Sequence, residues 1–272
     1  MALLDNYTLP PFDQLRVISY SKYPGKLNMA IDHYFASNCH NNMIPLLRFY
    51  GWDPYCLSIG YHQKMDLINV NKLIQDGFDA IRRPTGGRAI FHAKELTYCI
   101  IAPKVRANHH HLYQFIHWIF SNSLNQLGYP VELKSDLERL PRLIPEANDY
   151  PCFTRSAQTE VQFEGKKIIG SAQKIYKNSI LQHGSLLIGG EHEMLPDYLL
   201  IDKSIKTSMD VEISKKTTHL GAISQRNISI EKLITSIINQ LDKLKNISLY
   251  FKQLNQDELR IAEKYAGEFS LH

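Results

Sequence analysis

Short apolar runs and one helical stretch dominate the first hundred or so residues of the chain. Residues 15–20 alternate β-branched and aromatic side chains and predict a strand, which ends at the turn KYPG. From Leu27 to Ser37 the apolar residues recur at spacings of three and four, which predicts a helix with one buried face. Further strands are predicted at residues 46–52, 55–61, 78–82, 88–92 and 96–102, with a short helix at residues 70–77.

The middle of the chain contains the clearest helical pattern. Apolar residues from Leu112 to Leu127 keep a helical period, and Gly128 and Pro130 end the predicted helix. Prolines then recur between residues 141 and 151 and predict a loop. Strands are predicted again at residues 159–165, 166–176 and 178–189, with Glu164-Gly165 as a hairpin turn.

Helix-forming residues dominate after Gly190, and strands are predicted to stop there. One amphipathic helix runs from Ile230 to Leu241 with Ser229 as its N-cap, and a last helix covers residues 257–265. We therefore expect an α+β fold in which helices flank a mixed, largely antiparallel sheet. Residues 1–190 are expected to form its sheet-containing core, and residues 191–272 a helical part that packs on the same domain.

Composition places the chain among ordinary globular proteins. Of its 272 residues, 44% are hydrophobic and 21% are charged, which suits one large domain and argues against disorder. The net charge of +4 is compatible with acidic protein partners, but the sequence lacks the concentrated basic stripe of a nucleic-acid-binding protein. No apolar run reaches the roughly 18 residues of a membrane span, and the first residues do not read as a secretory signal.

The four cysteines, Cys39, Cys56, Cys99 and Cys152, are far apart and form no CxxC pair. This spacing argues against a zinc site, and no metal is expected. Without an export signal they are expected to be free thiols in a reducing cytoplasm. The first three fall in apolar patterns and are interpreted as small buried residues. Cys152 lies in the proline-rich loop, where it is either incidental or a nucleophile for thioester chemistry.

Two glycine-containing segments could approach a ligand. In the turn from Arg82 to Arg88, two adjacent glycines allow a tight bend with exposed backbone N–H groups; a plain hairpin with solvated arginines is the alternative. In GKKIIGSAQ, residues 165–173, strand alternation directs one of two lysines toward a core or cleft, unless this is a solvated edge strand. His183 either faces a cleft or is a hydrogen-bonded structural histidine.

Taken together, these segments resemble the lipoate-protein ligase and octanoyltransferase family, which shares a fold with biotin-protein ligases. The resemblance is carried by RRPTGGRAIFHAKELTY at residues 82–98, PCF at 151–153, EGKKIIGSAQ at 164–173 and ILQHGS at 180–185. It extends to MAIDHYF around Asp32, to GWDPYCLSIGYHQ before residue 64 and to AEKYAGEF near the end of the sequence. It therefore covers nearly the whole chain.

Within that family the chain is most similar to octanoyl-[acyl carrier protein]:protein N-octanoyltransferases. The ATP-dependent ligases typically have a third glycine where this chain has Arg88, and a His-Asp-x-Gly-Asn run where it has HAKELT at residues 92–97. Cys152 stands where the transferases place their nucleophile, and Lys167 matches their lysine. The resemblance implies that residues 1–190 are the core of the catalytic domain.

The resemblance implies a reaction in two steps that needs neither ATP nor a metal. The Cys152 thiolate takes the octanoyl group from the phosphopantetheine thioester of an acyl carrier protein. A lysine of a lipoyl domain or of a glycine cleavage H-type protein then attacks the acyl-enzyme. Lys167 would favour the thiolate by its charge or carry a proton. The residues implied to bind the substrates are Arg83, Gly86, Gly87, Arg88, Gly170, Ser171, Ala172, His183 and Gly184.

Three other functions remain open at this point. The chain could be an amidotransferase that moves an octanoyl group between lipoyl-accepting proteins, an ATP-dependent lipoate or biotin ligase, or a non-catalytic acyl-binding relative. Stabilisation by nucleotide would identify the ligase. Partners of the family are typically acidic, so docking through Arg83, Arg88 or Lys166 is expected, whereas nucleic acid and membranes are not. The sequence leaves open the acceptor, the acyl chain length, the oligomeric state and the N–H groups around the oxyanion.

Overall fold

The computed structural model describes residues 10–135, 159–224, 226 and 228–271. Cys152 and the proline-rich loop predicted around it lie outside these residues. The strands are β1 (Gln14–Tyr23), β2 (Leu46–Trp52), β3 (Cys56–Ile59), β4 (Asp79–Arg82), β5 (Ile90–His92), β6 (Glu95–Pro103), β7 (Glu132–Ser135), β8 (Thr159–Phe163), β9 (Lys166–Lys167), β10 (Ile169–Ile175), β11 (Ser179–Leu187) and β12 (Ser248–Phe251). The helices are α1 (Gly25–Ser37), α2 (Val70–Gln75), α3 (His109–Gln126), α4 (Lys203–Lys216), α5 (Leu220–Ile223), α6 (Ile230–Asp242) and α7 (Gln256–Glu263), with 3₁₀ turns at Gly190–Tyr198 and Ala266–Phe269.

A six-stranded sheet in the order β10-β11-β6-β2-β1-β12 forms the centre of the molecule. The pairs from β10 to β2 are antiparallel, whereas β1 pairs in parallel with both β2 and β12. Helices cover both faces of this sheet. The predicted α+β fold with a mixed, largely antiparallel sheet flanked by helices is therefore confirmed.

Strand β6 shows why the apolar pattern predicts this sheet well. All its residues are buried, and successive side chains alternate between two cores. Tyr98 and Ile100 pack on one face with Phe115 of α3, while Cys99 and Ile101 pack on the other face among α1 residues. A strand covered on both faces reads as a continuous apolar run.

Two three-stranded sheets flank the central one. In the order β4-β3-β5, strand β3 pairs in parallel with β4 and antiparallel with β5, and Leu57, Phe91 and Tyr198 form part of its core. The other sheet, β7-β8-β9, is antiparallel and contacts α3. The predicted hairpin turn between β8 and β9 is confirmed, because Glu164 and Gly165 both have positive φ, 50° and 75°.

The structure corrects the prediction that strands stop after Gly190. Strand β12 pairs in parallel with β1 at the edge of the central sheet. It has only four residues, and Tyr250 and Phe251 are exposed, so it lacks the apolar alternation of a half-buried strand. The predicted helix at residues 230–241 and its Ser229 cap are confirmed. In the part of the chain that the structure describes, no helix has the length and apolarity needed to span a membrane.

Candidate active site

A cavity of about 360 Å³ lies between the central sheet and the small sheet β4-β3-β5. Strands β10 and β11 form one side of it, and the turn after β4 forms another. The predicted site residues that line it are Arg83, Gly86, Gly87, Lys167, Gly170, Ser171, Ala172, His183 and Gly184. Arg88 does not line it, and the predicted nucleophile Cys152 lies outside the described residues.

The wall on the central sheet is built from side chains that lie next to one another across the strands. Gly170 pairs with Ser185, Ser185 with Thr97, and Thr97 with Tyr50. Small side chains on three neighbouring strands leave a trough that spans roughly 10 Å at a strand spacing of about 4.8 Å. Gly184 has no room for a side chain, because a Cβ atom there would lie 2.7 Å from Tyr98 Cε1 and 2.8 Å from the carbonyl oxygen of Gly170.

Glu95 accepts hydrogen bonds from the polar groups of this trough. Its Oε1 accepts hydrogen bonds from Trp52 Nε1 at 3.0 Å, Thr97 Oγ1 at 2.6 Å and Ser185 Oγ at 2.6 Å. It also lies 2.8 Å from Nδ1 of His92, whose ring stacks on Trp52 with centroids 4.1 Å apart. The hydroxyls are occupied by the carboxylate, so these residues present mainly carbon atoms to the cavity. Sequence reasoning missed Glu95 and Trp52, because only the strand register shows that they meet.

A second buried carboxylate, Asp32 on α1, supports the middle of the wall. Arg48 Nη1 donates to Asp32 Oδ1 at 2.8 Å, and the Tyr50 hydroxyl donates to Oδ2 at 2.9 Å. His183 Nδ1 lies 3.7 Å from the same Oδ2, and its Nε2 lies 2.6 Å from Thr85 Oγ1. His183 therefore lines the cavity as a histidine held between Asp32 and the glycine turn.

Burial and the neighbouring groups set the charges of these residues. Burial alone raises the pKa of Asp32, but His183, Arg48 and Tyr50 outweigh it and hold this pKa below its usual value. Burial likewise opposes ionisation of Glu95, but the charge of His92 and the hydrogen bonds to Glu95 keep that pKa low. Burial lowers the pKa of His183 despite Asp32. At neutral pH both carboxylates are ionised and His183 is uncharged.

These shifts predict that the fold loses stability as the pH falls. Because the pKa of His183 lies below its usual 6.5, the unfolded chain binds this proton more tightly, and stability declines as the pH drops below that value. Glu95 and Asp32 add to the loss below their usual values of 4.5 and 3.8. Urea unfolding at a series of pH values should show this decline in the free energy of unfolding. In His183→Gln the part of the decline that begins just below the usual histidine pKa should be shallower. An unfolding free energy that rises on acidification would contradict the assignment.

The turn with two glycines is held by hydrogen bonds from Arg83 and is not a hairpin. Strands β4 and β5 pair with opposite sides of β3 rather than with each other. Arg83 is buried, and its Nη2 donates to the carbonyls of Gly86 at 3.0 Å and Arg88 at 2.6 Å. Gly87 has a φ of 96°, and its backbone lies so close to Gly60 that a Cβ atom on Gly60 would collide with it. The alternative of a hairpin with solvated arginines is wrong, and Arg83 is too buried to dock a protein partner.

The structure also separates the two adjacent lysines. Lys167 is 7% exposed, lines the cavity, and places Nζ 2.6 Å from Glu160 Oε1. Lys166 is half-buried on the other side of the strand, where its Nζ donates to the carbonyl of Ser214. A solvated edge strand is therefore wrong for Lys167, and Glu160 is a partner that sequence reasoning missed.

None of the three described cysteines suits a nucleophile. Cys39, Cys56 and Cys99 are buried and free. Burial raises the pKa of the Cys39 thiol to about 11, and burial together with nearby carboxylates raises the pKa values of the other two well above their usual value. Their thiolate forms are scarce at neutral pH. Among residues 10–135, 159–224, 226 and 228–271, no group of three His, Cys, Asp or Glu side chains could hold a metal ion.

Comparison with known proteins gives a family and close relatives. Residues 24–242 match the profile of the lipoyl protein ligase A/B catalytic domain. The octanoyltransferase LipM of Clostridioides difficile is 34% identical over 269 residues, which cover 94% of this chain and 97% of the relative. The octanoyltransferase LipM of Staphylococcus aureus is 32% identical over 255 residues, covering 89% of this chain and 92% of the relative.

Solved structures share the fold at low sequence identity. A crystal structure of lipoate-protein ligase A bound with ATP superposes with a TM-score of 0.72 at 18% identity, covering 94% of this chain and 95% of the other. A bipartite lipoate protein ligase from Thermoplasma acidophilum, studied with its E2 lipoyl domain, has a TM-score of 0.74 at 17% identity, with coverage of 94% and 92%. These likenesses concern the architecture alone.

Proposed function

The chain belongs to the family of lipoyl protein ligase A/B catalytic domains, and on this premise we propose that it transfers octanoyl groups through a thioester on Cys152. It is an acyltransferase of lipoate biosynthesis. The observation that carries the proposal is the cavity, in which a trough of small residues with occupied hydroxyls runs beside Lys167. Each methylene buried in such a trough contributes about 0.8 kcal/mol. The affinity for an acyl chain therefore grows with the length of chain that the trough buries.

We assign the reaction two balanced steps. The Cys152 thiolate attacks the thioester carbon of an octanoyl carrier protein, a new C–S bond forms, and the phosphopantetheine sulfur departs and takes up a proton. The ε-amino nitrogen of the acceptor lysine then attacks the same carbon, a C–N bond forms, and the bond to Cys152 breaks. The amine releases one proton, which balances the proton taken up by the carrier thiol. The amide is the more stable product, so the second step drives the transfer.

Two features of the chain support a thioester route without ATP. Cys39, Cys56 and Cys99 are buried with raised thiol pKa values, which leaves Cys152 as the candidate nucleophile. Lys167 brings a positive charge to the cavity wall, and such a charge favours a thiolate. The free cysteines also fit a reducing cytoplasm. The partners are then a carrier protein as donor and a lipoyl domain or H-type protein as acceptor.

The test is intact-protein mass spectrometry of the native chain mixed with octanoyl carrier protein in the absence of ATP. We expect the enzyme to gain one octanoyl group and to lose it when an acceptor protein is added. Octanoyl-loaded lipoyl domain is offered as donor in parallel, because an amidotransferase would prefer it. If only octanoate with ATP modifies the acceptor and no adduct forms, the enzyme is a ligase and the proposal fails.

A further inference from the structure

Glu160 is a buried acid that the proposed reaction has not yet used. Its side chain is 6% exposed, and its Oε1 lies 2.6 Å from Lys167 Nζ. The second oxygen, Oε2, accepts a hydrogen bond from Gln162 Nε2 at 2.7 Å. Both carboxylate oxygens therefore have fixed partners on the sheet β7-β8-β9.

Strand geometry explains how Glu160 reaches Lys167. In the β8-β9 hairpin, Gln162 lies directly opposite Lys167. Glu160 is two residues from Gln162 on the same strand, so it projects from the same face and meets Lys167 diagonally. Strand β8 is also the first described strand after the segment that contains Cys152. The carboxylate thus joins this strand to the lysine at the cavity wall.

Stability alone does not account for this ion pair. Removing two charges from water is costly, and apolar residues of similar size often replace a buried pair without loss of stability. Among the lysines that the structure describes, Lys167 is the one that is buried. A buried ammonium group needs a carboxylate in contact, and Glu160 supplies it. A fixed positive charge at this place is useful for chemistry in which a sulfur anion forms.

We propose that Glu160 is a positioning residue that anchors the Lys167 ammonium group and directs it along the cavity wall. Lys167 then acts as a fixed positive charge toward the thiolate of Cys152 and the departing carrier sulfur, and not as a free base. This inference rests on the proposed function, because it assigns Glu160 to the same reaction. It also decides between the two roles that the sequence leaves open for Lys167.

The first test is the single-turnover rate of octanoyl-adduct formation. In Glu160→Gln we expect a maximal rate about 100-fold lower, because a misplaced catalytic group costs about that factor, with the half-saturating donor concentration unchanged. Glu160→Asp keeps the negative charge and should recover part of the rate. Glu164→Gln is the matched control, since Glu164 is an exposed glutamate at the turn of the same hairpin and should behave like the native chain.

The second test observes the ammonium group itself, without turnover. Proton–nitrogen NMR at neutral pH should show one slowly exchanging lysine ammonium signal, which Lys167→Met assigns by its disappearance. Glu160→Gln should also abolish the signal, whereas Glu160→Asp and Glu164→Gln should keep it. If Glu160→Gln does not fold, Glu160→Asp supplies the test. A native rate of adduct formation in Glu160→Asp, together with loss of its ammonium signal, overturns the proposal.

The outcomes separate this inference from the proposed function. If the native chain forms no octanoyl adduct, the proposed function fails, while the NMR signal still reports whether Glu160 holds Lys167. If the adduct forms and Glu160→Gln matches Glu164→Gln in rate, the positioning role is wrong and the thioester route stands. If Glu160→Gln raises the half-saturating donor concentration and leaves the maximal rate unchanged, Glu160 serves donor binding, and the inference is overturned.

Discussion

Replacing Cys152 by alanine is expected to lower octanoyl transfer by roughly 10⁴- to 10⁶-fold, the loss that follows removal of a nucleophile from enzymes with covalent intermediates. On the proposed route the octanoyl group has no attachment point between donor and acceptor without this sulfur. On the proposed route the acyl chain binds in the trough, so the variant should retain affinity for the octanoyl carrier protein. Mass spectrometry should detect no adduct, and binding measurements should detect the complex.

The other cysteines supply the controls for this prediction. Cys56 and Cys99 are buried, and Cys39 has a thiol pKa raised to about 11, so alanine at these positions should leave the adduct intact. An adduct that persists in Cys152→Ala but vanishes in Cys39→Ala would identify a different nucleophile. Measuring the adduct at equal concentrations of folded protein removes differences in stability from the comparison.

Replacing Asp32 by alanine is expected to lower the free energy of unfolding by about 3–5 kcal/mol, the usual cost of leaving a buried charge without its partner. Arg48 is 1% exposed, and its guanidinium would remain buried without a carboxylate, with Asn28 as a remaining acceptor. Tyr50 would lose its hydrogen-bond acceptor, and His183 would lose the carboxylate beside it. Urea unfolding at low temperature, where the variant is still folded, gives the difference directly.

An exposed ion pair provides the matched comparison for Asp32. Arg260 and Asp257 on α7 lie 3.0 Å apart, with side chains 71% and 79% exposed. Pairs of this kind contribute little, because water screens them. We therefore expect the urea concentration at which Asp257→Ala unfolds to be nearly the same as for the native chain. Equal losses in Asp257→Ala and Asp32→Ala would show that burial of the Arg48 pair is not what stabilises the fold.

The central elements of the fold could be predicted because their sequence patterns are local. Helix α6 was predicted to within a residue, since its apolar face and its Ser229 cap are both visible in the sequence. Helix α3 begins three residues before the predicted Leu112, because Asn108 caps it and polar histidines form its first turn. Strand β12 was missed, since its pairing with β1 depends on contacts remote in the chain.

The candidate site likewise contains residues that could be predicted from the sequence and residues that could not. Its glycines and Lys167 stand in recognisable motifs, and the structure brings them to one cavity. Asp32 and Glu95 also lie within motifs, but the contacts of these acids and of Glu160 follow from the sheet register and helix packing, which no short motif encodes. Each is identified by its buried partners, and most of those lie on other strands or helices. Even the apolar character of the trough depends on where Glu95 directs the neighbouring hydroxyls.

The pairing of β1 with β12 has a consequence for how the protein is made. Strand β1 leaves the ribosome 234 residues before its outer partner β12, since Gln14 pairs with Ser248. Arg16 on β1 binds Glu258, 242 residues later, at 2.7 Å. Until that late segment arrives, one edge of the nascent sheet carries unpaired backbone groups, which favour association with other chains. Chaperone binding to stalled nascent chains should therefore persist until residues beyond 251 have emerged.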